Sequence, residues 1–255
     1  MRKLIAFPCE GETLAATLDE ANGTTGVLIV SGGNEIRSGA HRGMAFLAKR
    51  LAATRTPVFR YDRRGVGDST GHNGGFLSAQ PDLIAAAATF RAAAPHITGI
   101  VGFGNCDAAS TLALFGRAAG IDRIVLANPW LTEQTDDLPP AAAIRVRYQA
   151  ALRDPATWQR ALKGGISFRN FIRGLKKLSR TATEAESSLA ARVLTALADW
   201  KTDAAIVLAS GDATAIAFAS AAGKGIMVET IETASHSFTG DAGTALENAI
   251  RRNLA

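Results

Sequence analysis

Gly102-Phe103-Gly104-Asn105-Cys106-Asp107-Ala108-Ala109-Ser110 decides the fold. An apolar run, Gly99–Phe103, leads into it, and an Ala- and Leu-rich segment, Asp107–Ala118, leaves it. A strand that turns straight into a helix through Gly-x-nucleophile-x-small is a nucleophile elbow, in which the small residues let the strained turn approach the helix. Gly104 and Ala108 fill the small positions, so the nucleophile position falls on Cys106. Sliding the motif back two residues would put glycine there, which has no nucleophile. Ser110 lies one helical turn beyond the elbow, and Asp107 is one residue too late. The positive end of the following helix favours thiolate over thiol at Cys106. A buried, inert cysteine is the alternative.

Outward from the elbow, strands and helices alternate. Lys3–Phe7 and Thr13–Asp19 read as a hairpin turning at Glu10-Gly11, and Val27–Val30 as a buried strand ending in Ser31-Gly32-Gly33. Gly43–Ala53 and Asp82–Ala94 have helical spacing, while Pro57–Tyr61 and Arg123–Ala127 read as strands. Ala204–Ala209, Thr214–Ala222, Gly225–Glu229 and a last helix near Asp241–Arg252 resume the alternation. Such a chain builds an α/β fold with a mostly parallel central sheet flanked by helices. Residues 129–200 break the pattern with helical spacing and no good strand. The organisation expected is a core of 1–128 and 201–255 with a helical cap inserted at 129–200. Within that insertion Phe168, Phe171, Ile172, Leu175 and Leu178 share one helical face.

In open α/β sheets the chemistry sits at the carboxyl ends of strands. Three further strand tips bear on Cys106. Asp212 follows Ile206-Val207-Leu208-Ala209-Ser210-Gly211, where an acid can orient a histidine, or cap the next helix, or do both. His236 follows the last strand, in the loop Thr233-Ala234-Ser235-His236-Ser237-Phe238, as the expected general base. Of the other histidines, His72 and His96 read as surface loop residues, and His41, near the glycine loop, is the rival. Gly33 or Asn34 would supply one oxyanion donor and the N–H of Asp107 the other, although Gly-Gly is equally a plain turn. The chain order nucleophile, acid, histidine belongs to one fold only among triad enzymes.

The chain resembles the α/β-hydrolase superfamily. More narrowly, Gly33-Asn34-Glu35-Ile36-Arg37-Ser38-Gly39-Ala40-His41-Arg42, Tyr61-Asp62-Arg63-Arg64-Gly65-Val66-Gly67-Asp68-Ser69 and Asn105-Cys106-Asp107-Ala108-Ala109-Ser110 resemble the exosortase A system-associated hydrolase 1 family. The middle segment is shared across many hydrolases; the first and third are more specific. The resemblance covers the core well and residues 130–200 poorly. It implies a hydrolase of bacteria that make exopolysaccharide and sort proteins through an exosortase. The cysteine is also similar to that of dienelactone hydrolases, whose other motifs are not evident.

These residues point to acyl transfer from an ester or thioester to water, with transfer to an alcohol or amine as a variant and a non-catalytic, hydrolase-like binding protein as the alternative. Two cysteines, Cys9 and Cys106, are too few for a disulfide framework and suit the cytoplasm. Only Leu4–Phe7 is apolar at the start, too short for a secretory signal, and no apolar run approaches the ~18 residues of a membrane span. Net charge is +5, with a surplus gathered between Arg145 and Arg180 that faces either solvent or an anionic substrate, such as a carrier-bound or coenzyme A-linked acyl group. Few aromatics interleave with it, so no nucleic-acid partner is expected. No metal-ligand spacing and no complete nucleotide fingerprint occur, so no metal or other cofactor is expected. The oligomeric state is not legible.

Overall fold

The computed structural model describes residues 1–132, 184–223 and 225–254. The opening hairpin pairs β1 (Arg2–Cys9) with β2 (Glu12–Asp19), and β3 (Thr25–Val30) follows. Then come α1 (Gly43–Ala53), β4 (Val58–Tyr61), α2 (Gln80–Ala93), β5 (Gly99–Asn105), α3 (Asp107–Phe115) and β6 (Arg123–Ala127). The C-terminal part supplies α4 (Glu184–Trp200), β7 (Ala204–Ala209), α5 (Ala213–Ala222), β8 (Glu229–Ile231) and α6 (Asp241–Arg252).

Among the described residues these strands form an eight-stranded sheet in the order β1-β2-β4-β3-β5-β6-β7-β8. The β1–β2 and β2–β4 pairs are antiparallel and every other pair is parallel. Parallel strands need crossovers, which bring helices onto both faces. Successive side chains of β3 therefore enter opposite cores. Leu28 and Val30 pack with Leu83 and Phe90 of α2, Leu112 of α3 and Leu189, Val193, Leu197 and Trp200 of α4. Val27 and Ile29 pack with Leu47 and Leu51 of α1 and Leu246 and Ile250 of α6. The fold expected from the sequence is the fold observed.

Some boundaries moved. The apolar run before Glu229 reads as a strand from Gly225, yet Met227 is 94% exposed. The ladder begins only at Glu229, opposite Val207, and ends at Ile231, opposite Ala209, although β7 itself starts at Ala204. α3 ends at Phe115, with Gly116 at its C-cap, rather than at Ala118. Of the expected insertion at 129–200, Leu189, Val193, Leu197 and Trp200 are buried in the core shared with α3, with Trp200 Nε1 donating to Ala113 O at 2.9 Å. The Phe168–Leu178 face and the Arg145–Arg180 basic cluster lie outside the described residues. Among the described residues no helix is long and apolar enough to cross a membrane.

Candidate active site

β5 runs into α3 through Cys106, whose φ is 62° and ψ −127°. A non-glycine residue held there stores about 1–3 kcal/mol of strain, which persists only where the surroundings over-determine it. They do so here. Cys106 N–H donates to Ala127 O at 3.0 Å, and Cys106 O accepts from Ala109 N, Ser110 N and Trp130 N. A Cβ on Gly104 would lie 2.7 Å from the Ala108 carbonyl carbon, so no larger residue fits beneath the turn. Ser110 is fully buried, its hydroxyl donating to Trp130 O, and takes no part at the tip.

Asp212 sits just past β7 and does both jobs open to it. Oδ1 accepts from Thr214 N and Ala215 N, each at 3.0 Å, and caps α5. Oδ2 faces His236 Nδ1 at 3.0 Å. Burial alone would raise the Asp212 carboxyl pKa; the His236 hydrogen bond and the two amide donors reverse this and hold it below the ordinary range. The His236 loop is tied to the β7 tip by Gly211 N–H to Thr233 O at 2.9 Å and Ser210 N–H to Ile231 O at 3.0 Å. The imidazole is pushed up to about 10, first by its hydrogen bond to Asp212 and then by the neighbouring Cys106 side chain, against the opposing effect of burial. Cys106, His236 and Asp212 therefore converge from three strand tips. His41 does not join them: it is exposed, in the turn before α1.

The other cysteine is a contrast. Cys9 is buried and donates to Asp82 Oδ1 at 3.5 Å. Burial, then the Asp82 carboxylate, pushes its thiol up to about 11. It is an inert core thiol, whereas Cys106 is half-buried.

At the β3 tip, Gly32 presses on the elbow; a Cβ there would come within 2.7 Å of Asn105 O and of Asp107 Oδ1. The Gly33 N–H already donates to Asp107 Oδ1 at 2.7 Å. An oxyanion that uses this donor must displace a carboxylate. Among the described residues the Asp107 N–H has no acceptor, as expected in the first turn of a helix. Asn34 is exposed, and its side-chain oxygen accepts from Asn73 Nδ2 at 2.8 Å. Arg63, 3% exposed, donates to Gly33 O and lies 3.8 Å from Asp107 Oδ2.

The sequence reading missed a pair of asparagines. Asn128 is fully buried at the tip of β6. Its Oδ1 accepts from Ala209 N at 2.9 Å, and its Nδ2 reaches Asn105 Oδ1 at 3.2 Å and His236 O at 3.3 Å. Asn105 Nδ2 also donates to His236 O at 2.9 Å. The pair links the tips of β5, β6 and β7 to the histidine backbone. The available signal was an asparagine directly after a buried strand, the same kind of position that carries Asp212.

The family described as the alpha/beta hydrolase family matches residues 27–249. Among curated proteins none matches. Among solved structures, an esterase of Pyrococcus furiosus is 16% identical, with a TM-score of 0.63 over 100% of this chain and 92% of that one. A serine hydrolase without a lid from Xanthomonas campestris is 15% identical, with a TM-score of 0.60 over 99% of this chain and 95% of that one. The thioesterase domain from the curacin biosynthetic pathway is 12% identical, with a TM-score of 0.58 over 98% and 99%. At such identities these likenesses speak to the fold.

Proposed function

The chain belongs to the alpha/beta hydrolase family, and from that premise we propose that it is an acyl hydrolase with a cysteine nucleophile, acting on an ester or, better matched to a thiolate, a thioester. The observation that carries this reading is Cys106 at φ 62° on the elbow, close enough to His236 to raise its pKa, with the ring nitrogen Nδ1 of His236 held by Asp212. In this mechanism the Cys106 sulfur attacks the acyl carbonyl while His236 holds the thiol proton. His236 then passes that proton to the leaving group and takes one from the water that cleaves the acyl-enzyme. Asp212 fixes the imidazole tautomer. The oxyanion is received by the Asp107 N–H with Gly33 or Asn34, the Gly33 route requiring the Asp107 carboxylate to turn aside.

The decisive experiment is intact-mass detection of an acyl adduct on the chain exposed to an activated thioester. Adduct and turnover are expected in the native protein and absent in Cys106→Ala. Undiminished turnover by Cys106→Ala would end the proposal. Supplying alcohol or amine acceptors to the adduct separates hydrolysis from acyl transfer. The resemblance to the exosortase A system-associated hydrolase 1 family supports a setting in exopolysaccharide-producing bacteria, and two free cysteines fit the cytoplasm.

A second reading, a hydrolase-like binding protein, is favoured by the carboxylate of Asp107 on the Gly33 N–H, which sets negative charge where an oxyanion would form. Iodoacetamide separates the two. Cys106 alkylation that follows the His236 titration supports the enzyme, and reactivity no higher than that of an ordinary thiol supports the binder.

A further inference from the structure

On the α1 face of the sheet, the corner formed by β1 and β2 is open. Leu4, Thr17 and Arg60 are register partners across β1, β2 and β4, and Ile29 continues the row on β3. Ile29 is buried beneath α1. Further out the row ceases to be core, and Leu4 is 78% exposed. Above it lies a pocket of about 550 Å³, walled by the loop from Ile36 to Arg42 and by Phe46 and Lys49 of α1. Ile36, Arg37, Ser38 and Arg42 come from the family-specific segment Gly33–Arg42, yet they line this pocket rather than the elbow.

Arg60 is the unusual member. A guanidinium in a buried strand costs several kcal/mol unless its hydrogen bonds are met. Arg60 is 3% exposed. Its Nη1 donates to Arg37 O at 2.7 Å and its Nη2 to Asp19 Oδ2 at 3.1 Å, but its Nε has no partner among the described residues. Burial pulls its pKa below the ordinary value, and Arg2 and Arg37 add like-charge repulsion to the opposing pull of Asp19.

Arg2, Arg37, Arg42, Lys49 and Arg60 all line the pocket. The carboxylates near them are already engaged: Asp19 by Arg2 and Arg60, Asp62 and Asp68 by Arg37. Arg42 and Lys49 form no ion pair among the described residues, which leaves two positive charges unmatched. Beside them Phe46 is 52% and Ile36 48% exposed, an apolar rim next to a cationic floor.

We infer that this pocket is a second binding site, separate from the elbow, for a phosphate monoester. A phosphate monoester carries about −1.5 to −2 charge at neutral pH, which matches the two free cations. Guanidinium forks fit phosphate oxygens, and the volume falls in the range of small-molecule sites. The organic body lies on Phe46 and Ile36. The inference does not depend on the chemistry of Cys106.

Titrations of the full chain with inorganic phosphate and with phenyl phosphate, followed by ³¹P resonance, test it. Phenyl phosphate is expected to bind about threefold or more tightly than inorganic phosphate, through the ring contact. Arg42→Gln combined with Lys49→Gln, both at exposed positions, is expected to weaken both ligands about tenfold or more. Phe46→Ala should remove the preference for phenyl phosphate, and Cys106→Ala should leave both affinities unchanged. No binding of either probe at ~10 mM, or unchanged binding by the double variant, overturns the site. Equal affinities of the two probes overturn the monoester assignment, and loss of binding in Cys106→Ala assigns the phosphate to the elbow and overturns the separate pocket.

Discussion

Replacing Asn128 by alanine strikes the joint between fold and site. Ala209, fully buried, loses the acceptor for its N–H. A buried donor left unsatisfied costs about 1–3 kcal/mol. The bonds from Nδ2 to Asn105 Oδ1 and His236 O go as well, although Asn105 Nδ2 still holds the same carbonyl. Asn128 also has φ 43°, a left-handed conformation that asparagine tolerates and alanine does not, adding about 1–2 kcal/mol. With allowance for non-additivity, the expected destabilisation is about 2–5 kcal/mol. Urea denaturation measures it. Asn128→Gly separates the parts: it accepts the backbone without strain but loses the same bonds, so it should recover about 1 kcal/mol. With the His236 carbonyl held by one asparagine instead of two, turnover should fall further than stability alone explains. A loss below about 1 kcal/mol for Asn128→Ala would refute this account of the joint.

Further expectations concern charge and space. Cys106→Ser removes the second-largest cause of the raised His236 pKa, so the imidazole should titrate well below its native value of about 10 in an NMR titration, and an unchanged titration would count against their contact. The native alkaline limb of kcat/KM should lie near that same value, because the proposed attacking pair needs the imidazolium. The stability supplied by the His236–Asp212 pair has a defined window. His236 is raised, so its contribution is complete below the ordinary 6.5 and is lost as pH climbs through about 10. Asp212 is lowered, so its contribution is complete above the ordinary 3.8 and is lost as pH falls below it. The difference in Tm between the native chain and His236→Gln should therefore be flat from about 4 to 6.5 and shrink toward 10; a difference that grows with alkalinity would contradict this sign. Gly104→Val places side-chain atoms against the backbone of Ala108 and should cost at least about 1–3 kcal/mol with loss of iodoacetamide reactivity at Cys106. Near neutral pH, mass-mapped alkylation should fall on Cys106 and spare Cys9, whose thiol stands at about 11.

The sequence by itself determined the alternation of strands and helices, the elbow register at Cys106, and the strand-tip positions of Asp212 and His236. These are local properties: burial periodicity writes the elements, and a glycine-nucleophile-small spacing writes the turn. β8 shows where locality stops, since Ile226, Met227 and Val228 are as apolar as any strand, yet the ladder with β7 begins only at Glu229. Only the tertiary structure decided that Asp107 caps the Gly33 N–H, that Asn105 and Asn128 clasp the His236 carbonyl, and that Arg60 opens onto a cationic pocket with an unpaired Nε. The physical reason is common to all three. A hydrogen bond or an ion pair between residues distant in the chain has no period along it, and whether a polar atom is satisfied depends on the strands and loops that the folded sheet sets beside it.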